Sequence, residues 1–165
     1  MTRKETTKRL SVLIEQKIDP KHDSRIYWAK EVTFDYRTKN AVRVDYMMFQ
    51  PVNNTISGIE KGDFYCYEIK SSVEDFKSKH GHNFLGDFNY YVMPRKVYEA
   101  VKDMLPYGEG VYVTDDECML TLYSIKQAKR KNRVRPVSEM LLMMFRSAAR
   151  ERGEENESEV NINDR

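Results

Sequence analysis

Short runs rich in Val, Phe, Tyr and Met alternate with amphipathic or polar stretches along this chain, and that alternation confines it to a sheet covered by helices. Residues 5–18 place Leu10, Leu13, Ile14 and Ile18 at helical spacing, and Asp19-Pro20 ends the helix. Residues 27–36 and 41–50 read as strands, joined by the polar stretch Arg37-Thr38-Lys39-Asn40 into a hairpin. Pro51 stops the second strand, a loop spans about 51–62, and a third strand follows over 63–70. Ser72, with Asp75 three residues on, has the pattern of a capping box, so a short helix starts there and ends near Gly81. Residues 88–93 form a strand closed by Pro94. Residues 96–105 form a helix with Val97, Ala100, Val101 and Met104 on one face. A strand pair, 110–114 and 119–125, turns around Asp115-Asp116-Glu117. A basic connector over 126–135 leads to a last helix, 137–150. The order α-β-β-β-α-β-α-β-β-α predicts an α/β fold: a mixed central sheet flanked by helices.

The 165 residues fit one domain, expected over 1–150, because no repeat or low-complexity linker divides them. Residues 151–165 hold six acids and two bases and are expected to be a disordered acidic tail, a solubility aid or a shield for basic surface. Without that tail the chain carries 26 Lys and Arg against 20 Asp and Glu, a moderately basic body compatible with a polyanionic partner. No run approaches a membrane span, and the charged opening residues do not read as a secretory signal. Cys66 and Cys118 have neither disulfide-framework nor zinc spacing. A cytoplasmic location is the expectation.

Alternation along the third strand puts Glu68 and Lys70 on one face, roughly 6.5–7 Å apart, and Tyr65, Tyr67 and Ile69 on the other, toward the core. Pairing with the preceding strand can bring Asp45 beside Glu68. Two neighbouring carboxylates repel, and a hard divalent cation such as Mg²⁺ (or Mn²⁺) neutralises them with oxygen ligands. The carbonyl of Ile69 is a further oxygen, and Lys70 can orient water or stabilise charge on a phosphorane. These parts suit phosphodiester hydrolysis. A Glu68–Lys70 salt bridge or a solvated strand face is the plainer reading of the same residues.

Asp45, then Glu68-Ile69-Lys70, on consecutive strands after an N-terminal helix, resembles the PD-(D/E)XK nuclease superfamily. The stretch Glu68-Ile69-Lys70-Ser71-Ser72-Val73-Glu74-Asp75-Phe76, followed by Asn89-Tyr90-Tyr91-Val92-Met93-Pro94, is similar to MmcB-like DNA-repair proteins. The motifs lie between Asp45 and Pro94, and Val44 stands where the superfamily's proline would be. The resemblance implies a restriction-endonuclease-like αβββαβ core and a Mg²⁺-dependent nuclease acting on DNA, RNA not being excluded. It implies that Asp45 and Glu68 bind metal and that Lys70 assists the attacking water. Glu15, on the first helix, sits where many members carry an additional metal-proximal Glu. A catalytically silent nucleic-acid- or protein-binding module is the alternative.

Lys77, Lys79, His80 and His82 are candidates for phosphate contact near the cleft, against a plainer reading as a surface loop. Lys129, Arg130, Lys131 and Arg133, in a connector of six bases without an acid, are candidates for a phosphate-tracking patch, against a solvated connector. Met140, Met143 and Met144 read as core filler, or, if exposed, as a homodimer face.

Overall fold

A computed structural model describes residues 1–163 apart from Lys79, Asp116 and Glu117, with side chains through Glu154. The elements are α1 (Arg3–Ile18), β1 (Tyr27–Phe34), β2 (Val42–Gln50), α2 (Ile56–Glu60), β3 (Asp63–Ile69), α3 (Val73–Lys77), β4 (Phe88–Pro94), α4 (Arg95–Val101), β5 (Gly110–Thr114), β6 (Leu122–Lys126) and α5 (Val137–Asn163). The six strands form one sheet in sequence order. Pairs β1–β2, β2–β3 and β5–β6 are antiparallel, while β3–β4 and β4–β5 are parallel, joined by crossovers that carry α3 and α4. This is the mixed, helix-flanked α/β sheet expected from the element order.

Each face is sealed by a different set of helices. On one side, α5 lays Val137, Met140 and Met144 onto Ala29, Val32, Phe34, Met47 and Phe64 of β1–β3. The same side carries a second cluster, Tyr91, Met93, Val111 and Val113 under α3 and α4. On the opposite side, Leu10, Ile14 and Ile18 of α1 meet Tyr46, Tyr67, Ile69, Tyr90 and Val92. Met140 and Met144 are buried core residues, while Met143 packs at the edge of that core. Both faces of β3 are therefore covered, and the charged face expected of Glu68 and Lys70 is as dry as the Tyr67–Ile69 face.

Several boundaries differ for local reasons. Helix α1 starts earlier because Thr2 and Glu5 form a reciprocal capping box. Ser72 does cap α3 through the Asp75 N–H, but the Asp75 carboxylate turns to the backbone and hydroxyl of Ser71 instead of completing a box. That helix ends at Lys77, where the His82 ring engages the carbonyls of Phe76 and Ser78. The loop 51–62 contains α2, capped by Thr55. Strand β6 starts at Leu122, since the Asp115 carboxylate holds the amides of Cys118 and Met119 in a turn and Met119 takes φ 47°. Helix α5 continues to Asn163, past the end expected at 150. No helix among the described residues is long and apolar enough to cross a membrane.

Candidate metal and phosphate site

Asp45 is placed by a break in two strands at once. Between the rungs Lys30↔Tyr46 and Val32↔Val44, Glu31 and Asp45 do not pair, and Glu31 takes φ 52°, a left-handed conformation that a non-glycine residue rarely adopts. The side chains facing α5 change phase there, from Ala29 to Val32 and Phe34 in β1, and from Val44 to Met47 and Phe49 in β2. Simple alternation would have set Asp45 against α5. The break leaves it half-buried at a cleft on the α1 side.

The β2–β3 ladder stops at Tyr46↔Tyr67, one residue short of Asp45. Lys70 donates its amide to Val92 of β4, so the amide of Ile69, one residue back, points toward β2. There the Asp45 carboxylate, not a backbone carbonyl, accepts it at 2.9 Å. The Ile69 carbonyl shares that edge of the strand and faces the same gap. Two carboxylates, Asp45 and Glu68, and one main-chain oxygen thus converge where strand pairing gives out.

Glu68 is fully buried, and neither carboxylate oxygen has a hydrogen bond of good geometry, although the Asn83 amide and the Asp45 carboxyl lie close to it. Burial pushes its pKa up to about 9, and the adjacent Asp45 pushes in the same direction. Burial also raises Asp45, against the Ile69 amide and the charges of Arg43 and Lys70. Lys70 is 2 % exposed, and burial lowers its pKa while Asp75, Glu68 and Asp45 pull it back. A buried carboxylate short of hydrogen bonds beside a second acid takes up either a proton or a cation. The donor set, two carboxylates and a carbonyl, is all oxygen, the chemistry of Mg²⁺ or Mn²⁺. Among the described residues no group of three or more His, Cys, Asp or Glu is arranged to hold a metal.

The roof is a loop that needs glycine. Lys70 Nζ donates to the His80 carbonyl at 2.7 Å. Gly81 follows with φ 67°, and a Cβ there would lie 2.7 Å from Lys70 Nζ and 3.1 Å from Glu68 Oε2. Gly81→Ala is expected to cost about 1–2 kcal/mol from the left-handed backbone alone, read as a lower urea midpoint with unchanged slope. A midpoint equal to wild type would show that the loop relaxes freely.

Among the other expected site residues, Glu15 lines the same cleft, of about 500 Å³, and its Oε1 accepts from the Tyr46 hydroxyl at 2.7 Å and lies 3.7 Å from Lys30 Nζ. His80 is exposed at the cleft, and Lys77 is exposed on α3. Lys79 lies outside the described residues. Both ring nitrogens of His82 are engaged by protein, Nδ1 with the Tyr91 hydroxyl and Nε2 with the Phe76 and Ser78 carbonyls, so this ring ties the loop to the core.

The basic connector is not gathered with these residues. Arg130 pairs with Asp63 at the opposite end of β3, Arg133 with the buried Asp87 at 2.8 Å, and Lys131 with the buried Glu109. Lys129 donates to the Tyr107 hydroxyl. Around the acids the structure brings together Arg3, Lys8, Lys30 and Arg43, which the sequence did not single out. Arg3 pairs with Asp75 at 2.7 Å. No local motif marks these four: they come from α1, β1 and β2 and meet only through the tertiary fold.

No family model, curated protein or solved structure matches this chain.

Proposed function

We propose that this chain is a Mg²⁺-dependent nuclease that hydrolyses phosphodiester bonds in DNA, in repair or in the processing of mobile-element DNA. The observation that carries the reading is the buried Glu68 carboxylate, with no hydrogen bond of good geometry, beside the second acid Asp45 and beneath the cleft. Asp45, Glu68 and the Ile69 carbonyl would hold the cation, with Glu15 as an outer group through water. Bound there, the cation would make water acidic enough to attack at neutral pH and would screen the phosphate charge.

The chain's own residues do the rest. Lys70 uses one N–H on the His80 carbonyl, which fixes the ammonium and leaves two donors for the attacking water or a phosphate oxygen. Arg3, Lys8 and Arg43 line the approach for a polyanion. The water oxygen gives up a proton and bonds to phosphorus, the bond to the departing sugar oxygen breaks, and that oxygen takes up a proton in turn.

The test is a cleavage assay on purified full chain with Mg²⁺ or Mn²⁺, with and without chelator. Lys70→Met is expected to lower the rate about a thousandfold, the equivalent of a few kcal/mol of lost charge stabilisation, while calorimetry still shows metal binding. Cleavage that survives both chelation and Lys70→Met overturns the reading. Metal and DNA binding without cleavage in the wild type favours a silent binding module.

A further inference from the structure

At one end of a groove that reaches Asp45, the β1–β2 turn carries an aromatic ring into solvent on a strained backbone. Tyr36 is 60 % exposed and lies between Asp35 at φ 52° and Arg37 at φ 62°. Neither flanking residue is glycine, so the left-handed conformation at both is unfavourable and must be held from outside. The holding contacts are visible. Arg135, at the threshold of α5, grips Asp35 at 2.6 Å, and Thr38 donates its hydroxyl to the Asp35 carbonyl at 2.7 Å. A surface tyrosine with no task could rest against the sheet on a relaxed turn. This one stays largely exposed, with the Arg37 guanidinium 5.3 Å from its ring centre, and it also borders a hollow against Met143 and Arg146 of α5.

The ring also stands at a particular place. Tyr36 and Arg37 line a groove of about 680 Å³ that runs to Asp45, His80 and Gly81. The cleft of about 500 Å³ under α1 reaches the same three residues from the other side. The two grooves share Arg43, Asp45, His80 and Gly81, so they join at Asp45 and form one path that Lys70 also lines. Glu68 and Lys70 are buried under the Gly81 loop, so a phosphate must come down into that path. A single strand can bend into it, and a base beside the lowered phosphate is then free to lie on a ring. A paired, stacked base offers only its edges.

We propose that Tyr36 and Arg37 hold an unpaired nucleotide next to the phosphate to be cut, so that the substrate is single-stranded DNA or DNA with a single-stranded segment. Tyr36 stacks on the base, and Arg37 meets the backbone. This inference rests on the nuclease reading for the identity of the substrate, but its test does not use cleavage.

The experiment measures binding of a fluorescent short oligothymidine, and of a duplex of equal length, by anisotropy. Full-length protein is used in Ca²⁺ at fixed salt, with Tyr36→Ala and Tyr36→Phe. The single strand is expected to bind more tightly. Tyr36→Ala should weaken it about 5- to 100-fold, the loss of one base stack, and leave the duplex unchanged. Tyr36→Phe should keep wild-type affinity. An equal loss on both substrates, or no loss on the single strand, overturns the inference. Cleavage that responds to Lys70→Met together with binding indifferent to Tyr36 keeps the nuclease reading and removes this one. Tyr36-dependent binding without cleavage does the reverse.

Discussion

Glu68→Gln is expected to make the metal-free protein more stable at alkaline pH and, on the proposed nuclease reading, to abolish metal-dependent cleavage. In the folded chain the Glu68 carboxyl is pushed up to about 9 by burial and by Asp45, from an ordinary 4.5. Between those values the folded state holds a proton that the unfolded state has released. Stability therefore falls as pH rises through that window, and the loss is complete above the folded value. At pH about 8 the penalty is on the order of 5 kcal/mol. Glutamine keeps the shape, carries no charge, and can donate to Asp45. Urea melts of the metal-free proteins from mildly acidic to alkaline pH should show the wild-type curve sloping down and the variant curve nearly flat. Saturating Mg²⁺ should stabilise the wild type and leave the variant unmoved, because only a carboxylate exchanges its proton for the ion. The cleavage rate should fall about a thousandfold or more. Parallel pH curves for the two proteins would show that Glu68 is ionised and solvated in the folded state, and the buried-acid account would fail.

Asp87→Ala is expected to be the most damaging single change away from the site. Asp87 is 3 % exposed just before β4, and one carboxylate oxygen accepts both the Phe64 amide and Arg133, each at 2.8 Å. Arg133 in turn donates to the Gly62 carbonyl and lies over the Phe64 ring. Removing the carboxylate strands a largely buried guanidinium and an amide together, which costs about 3–5 kcal/mol. Arg133→Met on the same background removes the orphaned charge and should recover a substantial part. Equilibrium unfolding of the two single variants and the double variant measures this, and a cost below about 1 kcal/mol would place the pair in the class of screened surface bridges. Activity per folded molecule should hold, since this cluster lies at the end of β3 remote from Glu68.

Much of the frame could be read from residue order. Alternating apolar runs marked the strands, and the placement of Glu68 near the end of β3 and Lys70 just past it, one pleat apart, followed from strand geometry. The position of Asp45 could not be read that way. It depends on Glu31 taking a left-handed conformation and on a phase change that the sequence does not signal with a glycine or proline. Gly81, between two histidines, drew attention to its neighbours, although it is the glycine that lets the loop close over Lys70. The connector of bases looked like free positive charge because its partners, Asp63, Asp87 and Glu109, are far away in sequence. Charge runs report local composition, whereas their neutralisation is decided by which strand ends meet.

The cover that α5 provides has a bearing on how the protein is born. A chain lengthening from its N-terminus completes all six strands before residues 137–150 exist. Until then Phe34, Met47 and Phe64 lie bare on a finished sheet, and Asp35 has no Arg135 to fix the turn that carries Tyr36. Nascent chains stalled short of Val137 would thus present a greasy slab to any chaperone in reach, and residues 137–150 are the stretch that covers it.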